Sequence, residues 1–227
     1  MKKGAIEFRK MLERNHELAE HFDSPGFPGQ QFTLLQDWQR NRLKQTYSDY
    51  MASTRDKAAC HFFLHQLYGG MNFRDRNHDV ARVAPVMIKM LPDKALRTLA
   101  EAFRLQAISL NLDIEMAEIM LAEKQAALCA DEYGLIYRQC GRRADREHQI
   151  QLIQKLGYEL NTLVAMPTML KLLRLMHGPA IVAGFGKLQT FLEEGLSSFE
   201  KLTDPQAFVD DIFEREWAIM ESLFAGK

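Results

Sequence analysis

Apolar side chains return along most of this chain with the period of an α-helix. Val80, Val83, Ala84, Met87, Ile88 and Leu91 follow the i, i+3, i+4, i+7, i+8, i+11 spacing that lines one helical face, with charged and polar residues between them. The spacing recurs in Leu96, Leu99, Ala100, Phe103, Ala107 and Leu110, in Leu152, Leu156, Leu160 and Leu163, and in Ile181, Phe185, Leu188, Leu192 and Phe199. No stretch alternates apolar and polar residues between turn signals, so the pattern predicts an all-α fold.

Glycine and proline divide the pattern into elements, because one raises the entropic cost of helix and the other removes an N–H. A helix over 3–22 is followed by the turn-rich "DSPGFPGQ" loop over 23–30, and "YGGMN", "LPD", "CGRRAD", "HGPA" and "LTDP" mark shorter corners. Roughly nine or ten helices result, joined by short loops. Between Asp93 and Tyr133 there is neither Gly nor Pro, but Asn111, Asp113, Glu115 and Glu118 read as a fresh acidic N-terminus, which predicts two helices there. Pro167 and Pro179 are each expected to start or kink a helix, with Gly178 capping ahead of the second. No interior linker or repeat interrupts the chain, so a single helical domain over 1–227 is predicted.

Composition narrows the setting. With 29 basic and 30 acidic residues the net charge is -1, so no global field draws the molecule to nucleic acid or to an anionic membrane. The longest uncharged runs, Leu160–Leu170 and Leu175–Gly186, are shorter than the roughly 18 residues that a span requires, and "MKKGAIEFRK" leads into no apolar signal core. Cys60, Cys129 and Cys140 form neither a CxxC pair nor a disulfide framework. A soluble, cytoplasmic protein is expected.

A helix from Ala52 to Tyr68 would gather Asp56, Ala59, Cys60, Phe63 and Leu67 on one side, with Phe62 and Leu64 flanking and His61 and His65 opposite. Within it, "FFLHQLY" (Phe62–Tyr68) resembles the signature of a bacterial group, the FFLEELY motif proteins, at five of seven positions. His65 and Gln66 stand where the motif has glutamates, so the shared part is the apolar frame and Tyr68. The resemblance implies no activity.

Past Gly69-Gly70, Asn72 and Asp75 form a capping-box variant, and Arg76 falls in line with Val80 and Val83. A guanidinium drawn toward the core needs partners, which Asp75 and Asp79 could provide as a structural network. The functional reading of the same corner is an anion site built by Arg76 and Arg82 beside a helix N-terminus, with Tyr68 nearby.

Other constellations are weaker. "HELAEH" places its histidines five apart, about 140° round a helix, too far for one metal ion. Of the acid-x-x-His pairs, only Asp145/His148 aligns with an apolar stripe, and Asp145 also fits as the N-cap of its own helix. His177, among Met166, Met169 and Met176, is the candidate for a haem-like group. No metal site is assigned beyond Asp145, His148 and His177 as candidates, and no cofactor is predicted. Arg138, Arg142, Arg143 and Arg146 make the most basic patch, but Asp145 and Glu147 interrupt it and it reads as a solvated corner. No GxSxG, Walker or GxGxxG motif occurs, leaving Cys60 and Cys129 as the remaining nucleophiles to consider. The expectation is a non-enzymatic helical protein that binds a protein partner or an apolar small molecule, with a homodimer as one form. The alternative is a metal- or cofactor-binding protein or enzyme using Asp145, His148 and His177, or the Arg76/Arg82 anion site.

Overall fold

The computed structural model describes residues 2–62, 84–182 and 186–226, and among them helix is the only regular structure, in eleven segments. The first is α1 (Lys3–His21), whose Ala5, Phe8, Leu12 and Leu18 are buried along one side. After the turn-rich loop come α2 (Gly29–Thr46), the short α3 (Ser48–Ala52) and α4 (Lys57–Phe62). Residues 84–90 form α5. Then follow α6 (Asp93–Ala122), α7 (Ala130–Cys140), α8 (Arg143–Val164), α9 (Pro167–Val182), α10 (Gly186–Glu200) and α11 (Pro205–Ala225).

The centre of the molecule is α6, at 30 residues about 45 Å long. It is buried on more than one side because α1, α2, α7 and α8 all pack on it. Its Leu96, Ala100 and Phe103 meet α1, where Phe8 and Phe103 make an edge contact at 5.7 Å, and the buried Asn15 donates to the Phe103 carbonyl at 2.8 Å. Its Met116 and Met120 meet Leu35 of α2, Tyr133 and Ile136 of α7 and Met220 of α11. On the other side of α8, Leu152, Ile153 and Leu156 pack with Phe199, Phe208, Val209 and Ile212. The fold is a single all-α domain.

Capping follows local chemistry. Gly141 ends α7 at φ 64°, a left-handed position that suits glycine, and Asp204 opens α11 by accepting from the Gln206 and Ala207 amides at 3.1 and 2.9 Å, ahead of Pro205. Close approach explains another glycine: a Cβ on Gly157 of α8 would stand 2.5 Å from Cγ2 of Val209 on α11.

Several expectations change. No helix starts at Asn111; α6 runs through Asp113 to Ala122, and the interruption comes at 123–129, where Lys124 takes a positive φ of 56° and the Glu132 carboxylate then accepts from the Cys129 amide at 2.7 Å. Packing against four helices outweighs the local acidic signal. The backbone of α9 continues through Gly178 and Pro179 to Val182, so Gly178 is no cap. Ile181 therefore belongs to a different helix from Leu192 and Phe199, and it is 53% exposed while Phe199 is buried. The helix expected from Ala52 begins only after Ser53, whose hydroxyl accepts from the Asp56 amide at 3.1 Å. Asp145 is not an N-cap; Arg142 holds that position, and Asp145 lies inside the first turn of α8.

Candidate functional site

Five helices meet around a small chamber of about 50 Å³, where Gln39 and Arg42 of α2, Ser109 and Asp113 of α6, Tyr133 and Tyr137 of α7, Arg146 and Gln149 of α8, and Glu216 of α11 face an apolar wall of Ile150, Ile219, Met220 and Leu223. Each side chain arrives in register with an apolar stripe. Arg146 and Gln149 precede Ile153 and Leu156 on α8, Asp113 precedes Met116 and Met120 on α6, and Glu216 lies between Ile212 and Met220 on α11. Packing of the stripes carries the polar groups inward.

One half of the chamber is internally complete. Arg42 donates to both Glu216 oxygens, at 2.6 and 2.9 Å, and the Tyr47 hydroxyl donates to Oε1 at 2.9 Å. This two-pronged pair satisfies the carboxylate and fastens α2 to α11.

The other half is not balanced in the same way. Arg146 is 7% exposed, yet its guanidinium donates to neutral atoms, the Gln149 amide oxygen at 3.1 Å and the Met116 sulfur at 3.0 Å. Among the described residues no carboxylate lies within 4.0 Å of it. Gln149 is held in turn by donating to Ser109 Oγ at 2.6 Å, and the guanidinium carbon sits 4.7 Å from the Tyr137 ring centre. Asp113 receives Gln39 Nε2 at 2.9 Å, and its carboxyl is pushed above the usual range by burial, with Arg146, Gln39 and Gln36 opposing that shift. Burial also raises the phenols of Tyr133 and Tyr137, so both keep their protons near neutral pH. Trp38 stacks on Tyr133 at 3.8 Å and fixes that ring from outside. The chamber thus holds a buried cation whose hydrogen-bonded partners are neutral.

The residues expected from the sequence go elsewhere. Tyr68, Asp75, Arg76, Asp79 and Arg82 lie outside the described residues. Asp145 is bound by Arg142 at 2.6 Å, and His148 is exposed, not aligned with the buried stripe as expected. His177 contacts both Glu193 oxygens, at 2.9 and 3.0 Å, which joins α9 to α10. Among the described residues no three His, Cys, Asp or Glu side chains gather as they would to hold a metal ion. The basic corner also dissolves: Arg138 donates to the Leu223 carbonyl, Arg142 pairs with Glu115 and Asp145, Arg143 with Glu147 and Glu221, and Arg146 is interior. Cys60 is buried, and its thiol is pushed up to about 11 by loss of solvent, which removes it as a nucleophile near neutral pH.

A second cavity, about 30 Å³, lies among Leu105, Leu156, Leu160, Phe199, Phe208 and Val209. It is a fifth of the roughly 150 Å³ that takes a benzene-sized guest, so it is a packing gap rather than a ligand pocket.

Residues 18–227 match the profile of a family described as a domain of unknown function, DUF8198. The chain belongs to this family. No match was found among curated proteins or solved structures. The DUF8198 region includes all the helices that line the chamber, α2, α6, α7, α8 and α11, together with the last residues of α1. No helix among the described residues is long and apolar enough to cross a membrane.

Proposed function

We propose that this DUF8198 protein is a non-enzymatic helical binding protein whose ligand is a small anion of the carboxylate class, held in the chamber against Arg146. The observation that carries the reading is a buried guanidinium bonded to an amide and a thioether, in a small cavity of mixed lining edged by two phenols. A buried charge is normally matched by a counter-charge at hydrogen-bond distance, because its desolvation costs several kcal/mol. A carboxylate fits the planar N–H array of arginine. The chamber has about a third of the volume that takes benzene, which limits the ligand to roughly two to four non-hydrogen atoms. An apolar ligand has less support, since the apolar cavity among the described residues at Leu105, Leu156 and Phe208 is smaller still. The raised phenols of Tyr133 and Tyr137 leave the chamber without a phenolate or thiolate nucleophile at neutral pH, in keeping with binding rather than catalysis.

The resemblance at Phe62–Tyr68 supports a bacterial setting, and three free cysteines suit a reduced cytoplasm. Titration calorimetry with sodium acetate and sodium formate at constant ionic strength tests the reading. Saturable one-to-one binding, lost in Arg146→Met, is expected; a wild type that takes up neither anion removes the proposal.

A second reading, association through a helix surface with another copy, draws on Leu175 and Ile181 of α9, 76% and 53% exposed. Light scattering of the wild type and Leu175→Glu decides it: a dimer that the substitution splits supports association, and a wild-type monomer at all concentrations rejects it.

A further inference from the structure

Resting on the anion reading above, we infer that the chamber takes up its anion together with a proton, and that the proton is held by Asp113. The geometry sets this requirement. The chamber contains two guanidiniums and two carboxylates, but Glu216 is fully engaged by Arg42 and Tyr47 on the α2–α11 side. Among the described residues that line the chamber, that leaves Arg146 as the cation not bonded to a carboxylate and Asp113 as the carboxylate not bonded to a cation. Gln36 and Gln39 from α2, Tyr133 from α7 and Arg146 from α8 act directly on Asp113, and Arg42, Tyr137, Gln149 and Glu216 share the chamber with it.

An anion seated on Arg146 brings a second negative charge into a site where one cation is free to balance one anion. Two like charges in one buried site do not both stay ionised, so Asp113 binds a proton and becomes a neutral acid. No bond is made or broken other than that O–H, and the proton comes from solvent. Burial opposes ionisation of Asp113, while Arg146, Gln39 and Gln36 favour it, so an added negative charge beside Arg146 acts in the same direction as burial. As a neutral acid it also gains a donor to direct at the ligand, while Gln39 continues to donate to its other oxygen. The chamber therefore binds, in net terms, a weak acid as its separated anion and proton.

Calorimetry with sodium acetate, repeated at one pH in buffers of different ionisation enthalpy, counts the protons exchanged. Above the pH at which free Asp113 titrates, uptake of about one proton per acetate is expected, and the dissociation constant should rise about tenfold per pH unit. Asp113→Asn should bind acetate with no proton uptake and no pH dependence. If the variant does not fold, the side-chain carboxyl ¹³C resonance of Asp113 in the wild type, titrated with and without saturating acetate, must show a higher midpoint in the complex. Acetate binding without proton uptake, or uptake that persists in Asp113→Asn, overturns the coupling and leaves the anion reading in place. A wild type that binds no acetate at any pH overturns both.

Discussion

At the scale of single residues, the chamber's two arginines are buried in opposite senses, and substitution separates them. Glu216→Gln leaves Arg42 without its carboxylate, while Tyr47 keeps a partner in the amide oxygen. Breaking a buried pair from one side costs about 3–5 kcal/mol, and Arg42 at 20% exposed recovers some hydration, so a loss of about 2–4 kcal/mol is expected from urea denaturation. Arg146→Met differs, because no bonded carboxylate is orphaned and Asp113, whose ionisation burial already opposes, can take up a proton. Its stability should stay within about 1 kcal/mol of the wild type, since a hydrophobe of similar volume replaces a poorly matched charge. A loss for Arg146→Met as large as for Glu216→Gln would show that Asp113 is the true counter-ion. The signal for these residues was present in the sequence as polar groups in stripe register. Arg146, Gln149 and Ile153 share a face of α8 as Glu216 and Met220 share one of α11. Grouping Arg146 with its charged neighbours in sequence hid that phase, and nothing local links it to Asp113 or Tyr133.

At the scale of elements, α8 and α11 approach closely because Gly157 lacks a side chain opposite Val209. Gly157→Ala gains about 1 kcal/mol of helix propensity, but the new methyl meets three Val209 side-chain atoms, and a β-branched residue has few rotamers to move into. Overpacking of this kind costs about 1–3 kcal/mol, so a net loss and a lower melting temperature are expected. An unchanged or raised melting temperature would mean that the two helices slide apart without penalty. Asp204→Ala tests the start of α11 independently, with about 1 kcal/mol expected from two lost side-chain bonds to backbone amides. Elements were legible where stripe and punctuation agreed. Leu96 to Leu110 and Leu152 to Leu163 pack inward as their spacing predicts, and Gly141 and Asp204 end and begin helices where glycine and the Asp-Pro pair mark them. Elements were misread where a local signal competed with burial on several sides, as at Asp113, or where a stripe ran on by coincidence across a break, as from Ile181 to Phe199.

At the scale of the whole molecule, stability should pass through a maximum as pH rises, because its carboxylates are shifted in opposite directions. The Asp49 carboxyl lies below its ordinary value through its bonds to Arg215, and Glu193 lies below through Gln189 and then His177. A depressed carboxylate stabilises the fold above its unfolded value and loses that contribution as pH falls through the folded one. Asp113 has the reverse sign. Burial raises it above 3.8, so its contribution is fully present below 3.8 and is lost as pH climbs to the raised folded value. Within that window one such group removes about 1.4 kcal/mol per pH unit, and above it the loss is constant. Asp113→Asn carries no titrating group at this position, so the difference between wild type and variant isolates it from every other carboxylate. Urea midpoints measured from pH 3 upward should run in parallel at the acid end and then diverge in the variant's favour through the window, becoming parallel again above it. Curves that stay parallel throughout would mean that Arg146 offsets the burial of Asp113 completely and that both are ionised in the fold. A divergence of the opposite sign would place the Asp113 carboxyl below its ordinary value and make the Arg146 charge already matched.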